Sequence, residues 1–223
     1  MKVFKFGGAS LKDAAGIKNV ASILQRYSKE QLVIIVSAMG KTTNALEAVV
    51  AAHAKQTGEA QQLYDALKQQ HYAIMRDLFD EGDDVFALVN DTFVEGEWML
   101  EEKPSENYDY MYDQIVCVGE LVSSKIAAAY LNKVGLKTQW LDARDVVATD
   151  NTYREGWVIW DKTKANAVKL VPPILEQGSF VITQGFIGAT SENFTTTLGR
   201  EGSDYSAAIF SFCLDAESMS IWK

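Results

Sequence analysis

Lys2-Val3-Phe4-Lys5-Phe6-Gly7-Gly8-Ala9-Ser10 is the stretch whose reading decides the fold. Lys2 to Phe6 alternates as a short apolar strand and Gly7-Gly8 breaks it. Ile17, Val20, Ala21, Leu24 and Tyr27 then recur at helical spacing. Downstream, Leu32-Val33-Ile34-Ile35-Val36 is a continuous apolar run rich in β-branched residues, the kind buried on both faces of a parallel sheet. A helix over 44–54 follows it. Two strand-helix units in succession predict an α/β fold.

Outward from that frame, residues 55–102 read as helical throughout, with few strand signals and much charge. Residues 114–134 form a further helix, with Ile115, Val118, Val122, Ile126, Ala129 and Tyr130 along one apolar stripe. Strand-like segments return at 136–141, 157–160 and 179–183. Residues 161–177 look helical despite Pro172-Pro173, which should mark a kink or a restart. A last helix covers 202–214, and a strand begins at 219–223. No internal repeat, low-complexity tract or linker interrupts the chain.

The 223 residues are 48% hydrophobic and 23% charged, proportions of an ordinary globular domain, so collagen-like and disordered classes drop out. No apolar run reaches the roughly 20 residues that cross a bilayer, and the first residues carry no signal-peptide stretch. No membrane partner and a cytoplasmic location are therefore expected. Cys117 and Cys213 lack a paired spacing and sit in apolar helical patterns, as core residues do. His53 and His71 are too far apart along helical sequence to share a metal, so no zinc site or histidine-based triad is expected.

The net charge of -9 argues against nucleic acid, whose phosphates require a basic face. Thirteen acids and two bases between Arg76 and Asp113 give that stretch -11 and leave +2 for the rest. Such a concentration reads either as a cation-steering surface or as a solvated helical insertion spanning about 55–113.

Three clusters carry chemistry. Gly7 and Gly8, after a strand and before a helix, either serve turn geometry alone or present backbone N–H groups to a phosphate, with Lys5 adding charge. Gly40-Lys41-Thr42 resembles the tail of a phosphate-binding loop, but the motif's first glycine would fall on Ile35, so it fails. Thr195 through Tyr205 sets glycines, hydroxyls, Arg200 and Asp204 at a loop-to-helix junction. Ser203 and Asp204 suit a helix start there, whereas Arg200 suits a two-pronged hold on a carboxylate or phosphate.

Taken together these residues resemble the aspartokinases of the amino-acid-kinase superfamily. Lys5-Phe6-Gly7-Gly8-Ala9-Ser10 is similar to the family's opening signature, and Ser37-Ala38-Met39 with Thr43-Asn44 to its second. Gly119-Glu120, Thr183 to Gly188 and Leu198 to Tyr205 supply three more in the expected order. Ala9 replaces a hydroxyl residue and Glu201 a common glycine. The resemblance implies a three-layer αβα sandwich around a mostly parallel sheet, with residues 1–223 as the catalytic domain and the acidic helical insertion within it.

The implied reaction is transfer of the γ-phosphoryl of Mg-ATP to the side-chain carboxylate of L-aspartate. Lys5, Gly7, Gly8, Ser10, Trp222 and Lys223 would hold ATP, with Mg2+ carried mainly by the nucleotide phosphates. Lys5 and Asp204 would be catalytic, Asp204 organising lysines or Mg2+ at the transferring group. Arg200 would grip the α-carboxylate and Glu120 the α-ammonium, although Glu120 also reads as an exposed acid near a helix start. Ser37, Thr43, Gly185, Phe186, Ser203 and Asp204 would complete the acceptor pocket.

The family further implies a homo-oligomer at full length. In it, the strand at Met219–Lys223 continues into a nucleotide-binding segment and regulatory ACT domains, so residues 1–223 alone are expected to transfer phosphoryl poorly. An N-acetylglutamate-type kinase of the same fold and a non-catalytic amino-acid-binding module are the competing readings.

Overall fold

A computed structural model describes residues 1–223. Strand β1 (Lys2–Phe6) runs through a short 3-10 turn (Gly8–Leu11) into helix α1 (Ala14–Gln25), whose first turn is capped by Asp13. β2 (Leu32–Val36) leads into α2 (Thr42–Ala54), and three longer helices follow, α3 (Ala60–Arg76), α4 (Val85–Glu101) and α5 (Tyr108–Lys133). Next come β3 (Thr138–Trp140), the single turn α6 (Ala143–Val146), α7 (Trp160–Glu176) and β4 (Phe180–Gln184). An antiparallel ribbon of β5 (Ile187–Ala189) and β6 (Thr195–Thr197) precedes α8 (Gly202–Cys213) and β7 (Ser218–Trp222).

Five strands form one parallel sheet in the order β3-β4-β2-β1-β7. Strand alternation divides the apolar residues into two cores. Phe4, Phe6, Leu32, Ile34, Val36, Phe180 and Ile182 face a larger core with α1 to α5, while Val3, Val33, Ile35 and Val181 face a smaller one with α7 and α8. Helices therefore cover both faces, the expected three-layer arrangement. Lys5 shares the parity of Val3, and this directs its side chain to the α8 side.

Several sequence expectations need correction. Residues 157–160 form no strand: Val158 makes one isolated bridge to Thr149, and Trp160 already opens α7. Pro172 and Pro173 do not interrupt α7, because the carbonyls they leave without donors belong to Val168 and Lys169 on its exposed side. The run over 55–102 is two helices separated by turns at 77–84, and Tyr64, Leu67, Met75, Val89 and Phe93 join the larger core. The stretch is thus not a wholly solvated excursion, and Asp113 within it is completely buried.

Helix α5 does have the length and apolarity to cross a membrane, yet 78% of that window is buried inside the fold, which accounts for its composition. Both cysteines are buried and free. The histidines lie on separate helices, and His71 is spent on the Leu67 carbonyl and the Thr42 hydroxyl.

Candidate active site

Parallel pairing brings the strand ends into one row. Phe6 is in register with Val36 and Trp222, and Val36 with Gln184, so Gly7, Ser37, Gly185 and Lys223 all leave the sheet at its carboxyl edge. The Gly7 N–H donates to the Trp222 carbonyl at 2.9 Å, which extends the sheet by one bond and takes that amide out of any phosphate cradle. This corrects half of the glycine expectation. The N–H groups of Gly8 and Ala9 keep no protein partner.

Gly8 is required by close approach: a Cβ there would stand 2.7 Å from the Ala38 carbonyl oxygen. At Gly7 a Cβ would instead point toward the Lys5 ammonium, 3.5 Å away. The glycine thereby keeps the space beside that charge open.

Two groups of residues meet at this edge. In the first, the Lys5 Nζ pairs with Asp204 Oδ1 at 2.5 Å and the Lys223 Nζ approaches Oδ2 at 3.4 Å. Burial works to raise the Asp204 carboxyl, but the Lys5 and Lys223 ammoniums outweigh it and hold the acid below the usual carboxylate range. Asp204 is thus an ionised bridge between two lysines. The Trp222 indole turns away to stack on Phe6, so its contribution at the edge is its main-chain carbonyl. Ser10 sits in the 3-10 turn with its N–H on the Gly7 carbonyl.

The second group lines a cavity of about 910 Å³, among them Gly8, Ser37, Thr43, Glu120, Phe186, Arg200 and Ser203. Glu120 lies mid-way along α5 rather than near its start and is only 2% exposed. Its Oε2 has no partner. Burial pushes the carboxyl up to about 8, against the opposing pull of the Ala38 N–H and the Lys5 charge. Arg200 is exposed at the rim and forms no ion pair.

Gly185 stands behind this wall, where a Cβ would meet Ser203 Cβ at 2.6 Å. Phe186 takes a left-handed φ of 73°, pinned by the Ser206 hydroxyl on its N–H and by the Leu198 N–H on its carbonyl. The start of α8 is capped by no side chain; Glu201 occupies that position with φ 56°.

The cavity also takes residues that no local pattern announces, chiefly Glu47, Tyr112, Arg154 and Thr197. Tyr112 donates its hydroxyl to Glu47 at 2.8 Å, and the Arg154 guanidinium lies 4.3 Å over the Tyr112 ring. Asp113 accepts the Arg154 N–H at 2.8 Å and both the N–H and hydroxyl of Thr197, at 2.9 and 2.7 Å. Burial pushes Asp113 up to about 6 despite those three bonds and the Arg154 charge. These partners are separated by 41 and 84 positions in sequence, beyond the reach of any spacing rule. Chemically, the edge offers a lysine pair for anionic oxygens next to a polar hollow. That hollow holds one buried carboxyl for a cation and one free guanidinium for an anion.

The profile of the amino acid kinase family matches residues 1–223. Over 99% of this chain, lysine-sensitive aspartokinase 3 of Escherichia coli is 32% identical and aspartokinase 1, chloroplastic, of Arabidopsis thaliana is 30% identical. The chain spans 48% and 39% of their respective lengths. The crystal structure of E. coli aspartokinase III in complex with aspartate and ADP superposes on all of this chain with a TM-score of 0.91 at 28% identity, using 48% of that structure's chain. A strand order, a glycine turn and a buried acid at one sheet edge thus coincide with a profile match from end to end: the chain belongs to the amino acid kinase family.

Proposed function

We propose that this protein is an aspartate kinase, which transfers the γ-phosphoryl group of ATP to the side-chain carboxylate of L-aspartate. The product would be 4-phospho-L-aspartate, the first intermediate toward lysine, threonine and methionine. One observation carries the acceptor assignment: a carboxyl 2% exposed, with an unpartnered oxygen, at the wall of a polar cavity whose rim holds an unpaired arginine. A free α-amino acid answers both groups. Its ammonium satisfies Glu120 and its α-carboxylate meets Arg200 in a two-pronged hydrogen bond. An N-acylated amino acid carries no ammonium and would leave Glu120 unpaired.

The acceptor carboxylate, with a pKa near about 3.9, is already ionised at neutral pH, so transfer requires no general base. Catalysis then consists of alignment and charge neutralisation. Lys5, buried and held by Asp204, would meet the phosphoryl oxygens, and the Gly8 and Ala9 N–H groups, which have no protein partner, are available to the same anion. Asp204 is occupied by two lysines and no cluster of three acidic or histidine side chains stands near, a donor set that fits Mg2+ arriving on the nucleotide phosphates rather than on the protein. There it would neutralise phosphate charge. Aspartokinase III of E. coli, crystallised with aspartate and ADP, supports the same pairing of ligands.

The test is calorimetric titration of this chain with L-aspartate and N-acetyl-L-aspartate, followed by hydroxylamine trapping of any acyl phosphate. L-aspartate should bind at least about tenfold more tightly than its N-acetyl form, and Glu120→Gln should erase that preference. Equal binding of the two ligands to the unmodified chain would sink the assignment. Arg200→Lys should weaken L-aspartate about tenfold, because lysine keeps the charge and loses the fork.

A further inference from the structure

We propose that Asp113 is a positioning residue of the acceptor cavity: from behind the wall it fixes Arg154 and Thr197, and thereby the shape that meets the amino-acid substrate. The inference rests on the acceptor reading of that cavity.

Asp113 lies seven residues before Glu120 on α5, two helical turns away, so both project from the same flank of one rigid helix. Glu120 faces into the cavity, whereas Asp113 is fully buried behind it. Its carboxylate joins two chain segments at the point where they pair. Oδ2 takes the N–H of Arg154 and of Thr197 together, and Oδ1 takes the Thr197 hydroxyl. Next to that knot the Gly156 N–H donates to the Thr197 carbonyl at 2.9 Å and Glu155 bridges to Leu198.

Arg154 is held at φ 67°, a left-handed conformation that a long side chain adopts only where its surroundings over-determine it. Asp113 supplies that determination. The position is relayed outward, since the Arg154 guanidinium rests on Tyr112 and Tyr112 is bonded to Glu47, and all three line the cavity. One buried acid thus orients the cavity wall and sits on the same helix as the acid that would receive the ammonium.

The chemistry distinguishes substitutions. Asparagine can place its carbonyl oxygen under both N–H donors and give its NH2 to a reoriented Thr197 hydroxyl, so all three bonds survive. Alanine removes them. Glutamate keeps the charge but pushes the donors outward by one methylene.

The experiment combines hydrogen exchange of the Arg154 and Thr197 amides with L-aspartate titration, on the unmodified chain and on Asp113→Asn, Asp113→Ala and Asp113→Glu, well below each melting temperature. Asp113→Ala and Asp113→Glu should raise the aspartate Kd at least about tenfold and accelerate exchange at those two amides while the β2 and α5 amides stay protected. Asp113→Asn should stay within about threefold with protection intact. Should the alanine variant fold poorly, the glutamate variant carries the test. Unchanged exchange and unchanged aspartate Kd in a folded Ala or Glu variant would overturn the inference, as would a failure of Asn to rescue. Absence of aspartate binding by the unmodified chain overturns the acceptor reading instead, and the exchange measurement then decides by itself whether Asp113 holds the wall.

Discussion

At position 120 the folded chain raises a carboxyl to about 8, whereas the same group in the unfolded chain titrates near its ordinary 4.5. Above pH 8 both states are ionised and the folded one bears the full cost of the buried charge. As pH falls toward 4.5 the folded state takes up a proton first, and the cost declines. Glu120→Gln should therefore stabilise the chain by on the order of a few kcal/mol above pH 8, with a gain that shrinks on acidification. Urea unfolding at pH 9 and pH 6 measures it, and a variant less stable than the parent at pH 9 would show that Glu120 is satisfied within the fold. Position 201 offers a second test, since Glu201 holds φ 56°. Glycine there should be about 1 kcal/mol more stable than alanine, because both lose the acid at the helix start and only glycine escapes the left-handed penalty. Equal melting temperatures for the two would argue against that backbone conformation. Residue type and setting singled out Lys5 and Arg200, whereas Asp204 read as a helix-start residue until the family resemblance gave it a role, and Glu120 also read as an exposed acid, because burial is decided by neighbours that the local sequence does not name.

The element that binds the site together is the turn between β4 and β5 against the first turn of α8. A methyl at Gly185 would need to occupy space held by Ser203 Cα and Cβ, at 2.7 and 2.6 Å, and α8 cannot withdraw without pulling Asp204 from Lys5. Gly185→Ala should cost about 1–3 kcal/mol of stability and, through displacement of Ser203, weaken aspartate binding. Denaturant midpoints and titration check the two effects, and a fully stable variant with normal binding would refute the close approach. At this scale the helices and the buried strands were readable from periodicity. The ribbon β5–β6 and the short α6 were not, because three- and four-residue elements hold too few positions to show a period. The helix does not restart at the proline pair in α7, as the sequence allowed, because that cost depends on whether the freed carbonyls reach solvent, which is a property of the packed helix.

Across the whole molecule, one sheet separates two cores, and α8 is tied to the smaller one. Phe210 is fully buried there, while Phe212, two residues on in the same helix, is 61% exposed. Phe210→Ala should cost about 3–5 kcal/mol and Phe212→Ala about 0.5 kcal/mol or less, as read by thermal or urea unfolding. Similar losses at both positions would contradict the layer order. That order is also where local reading stops. Apolar runs and glycine breaks in the chain by itself determined that strands are followed by helices, that the strand at 32–36 is buried on both faces, and that signature residues follow strand ends, because these depend on side-chain type at short spacing. Strand order and register, which set Gly7, Ser37, Gly185 and Lys223 in a row, were decided only when both faces of the sheet were packed. The union of Asp113 with Arg154 and Thr197 belongs to the same level, for a buried carboxylate takes whichever donors the fold delivers to it, and those donors come from segments 41 and 84 residues away.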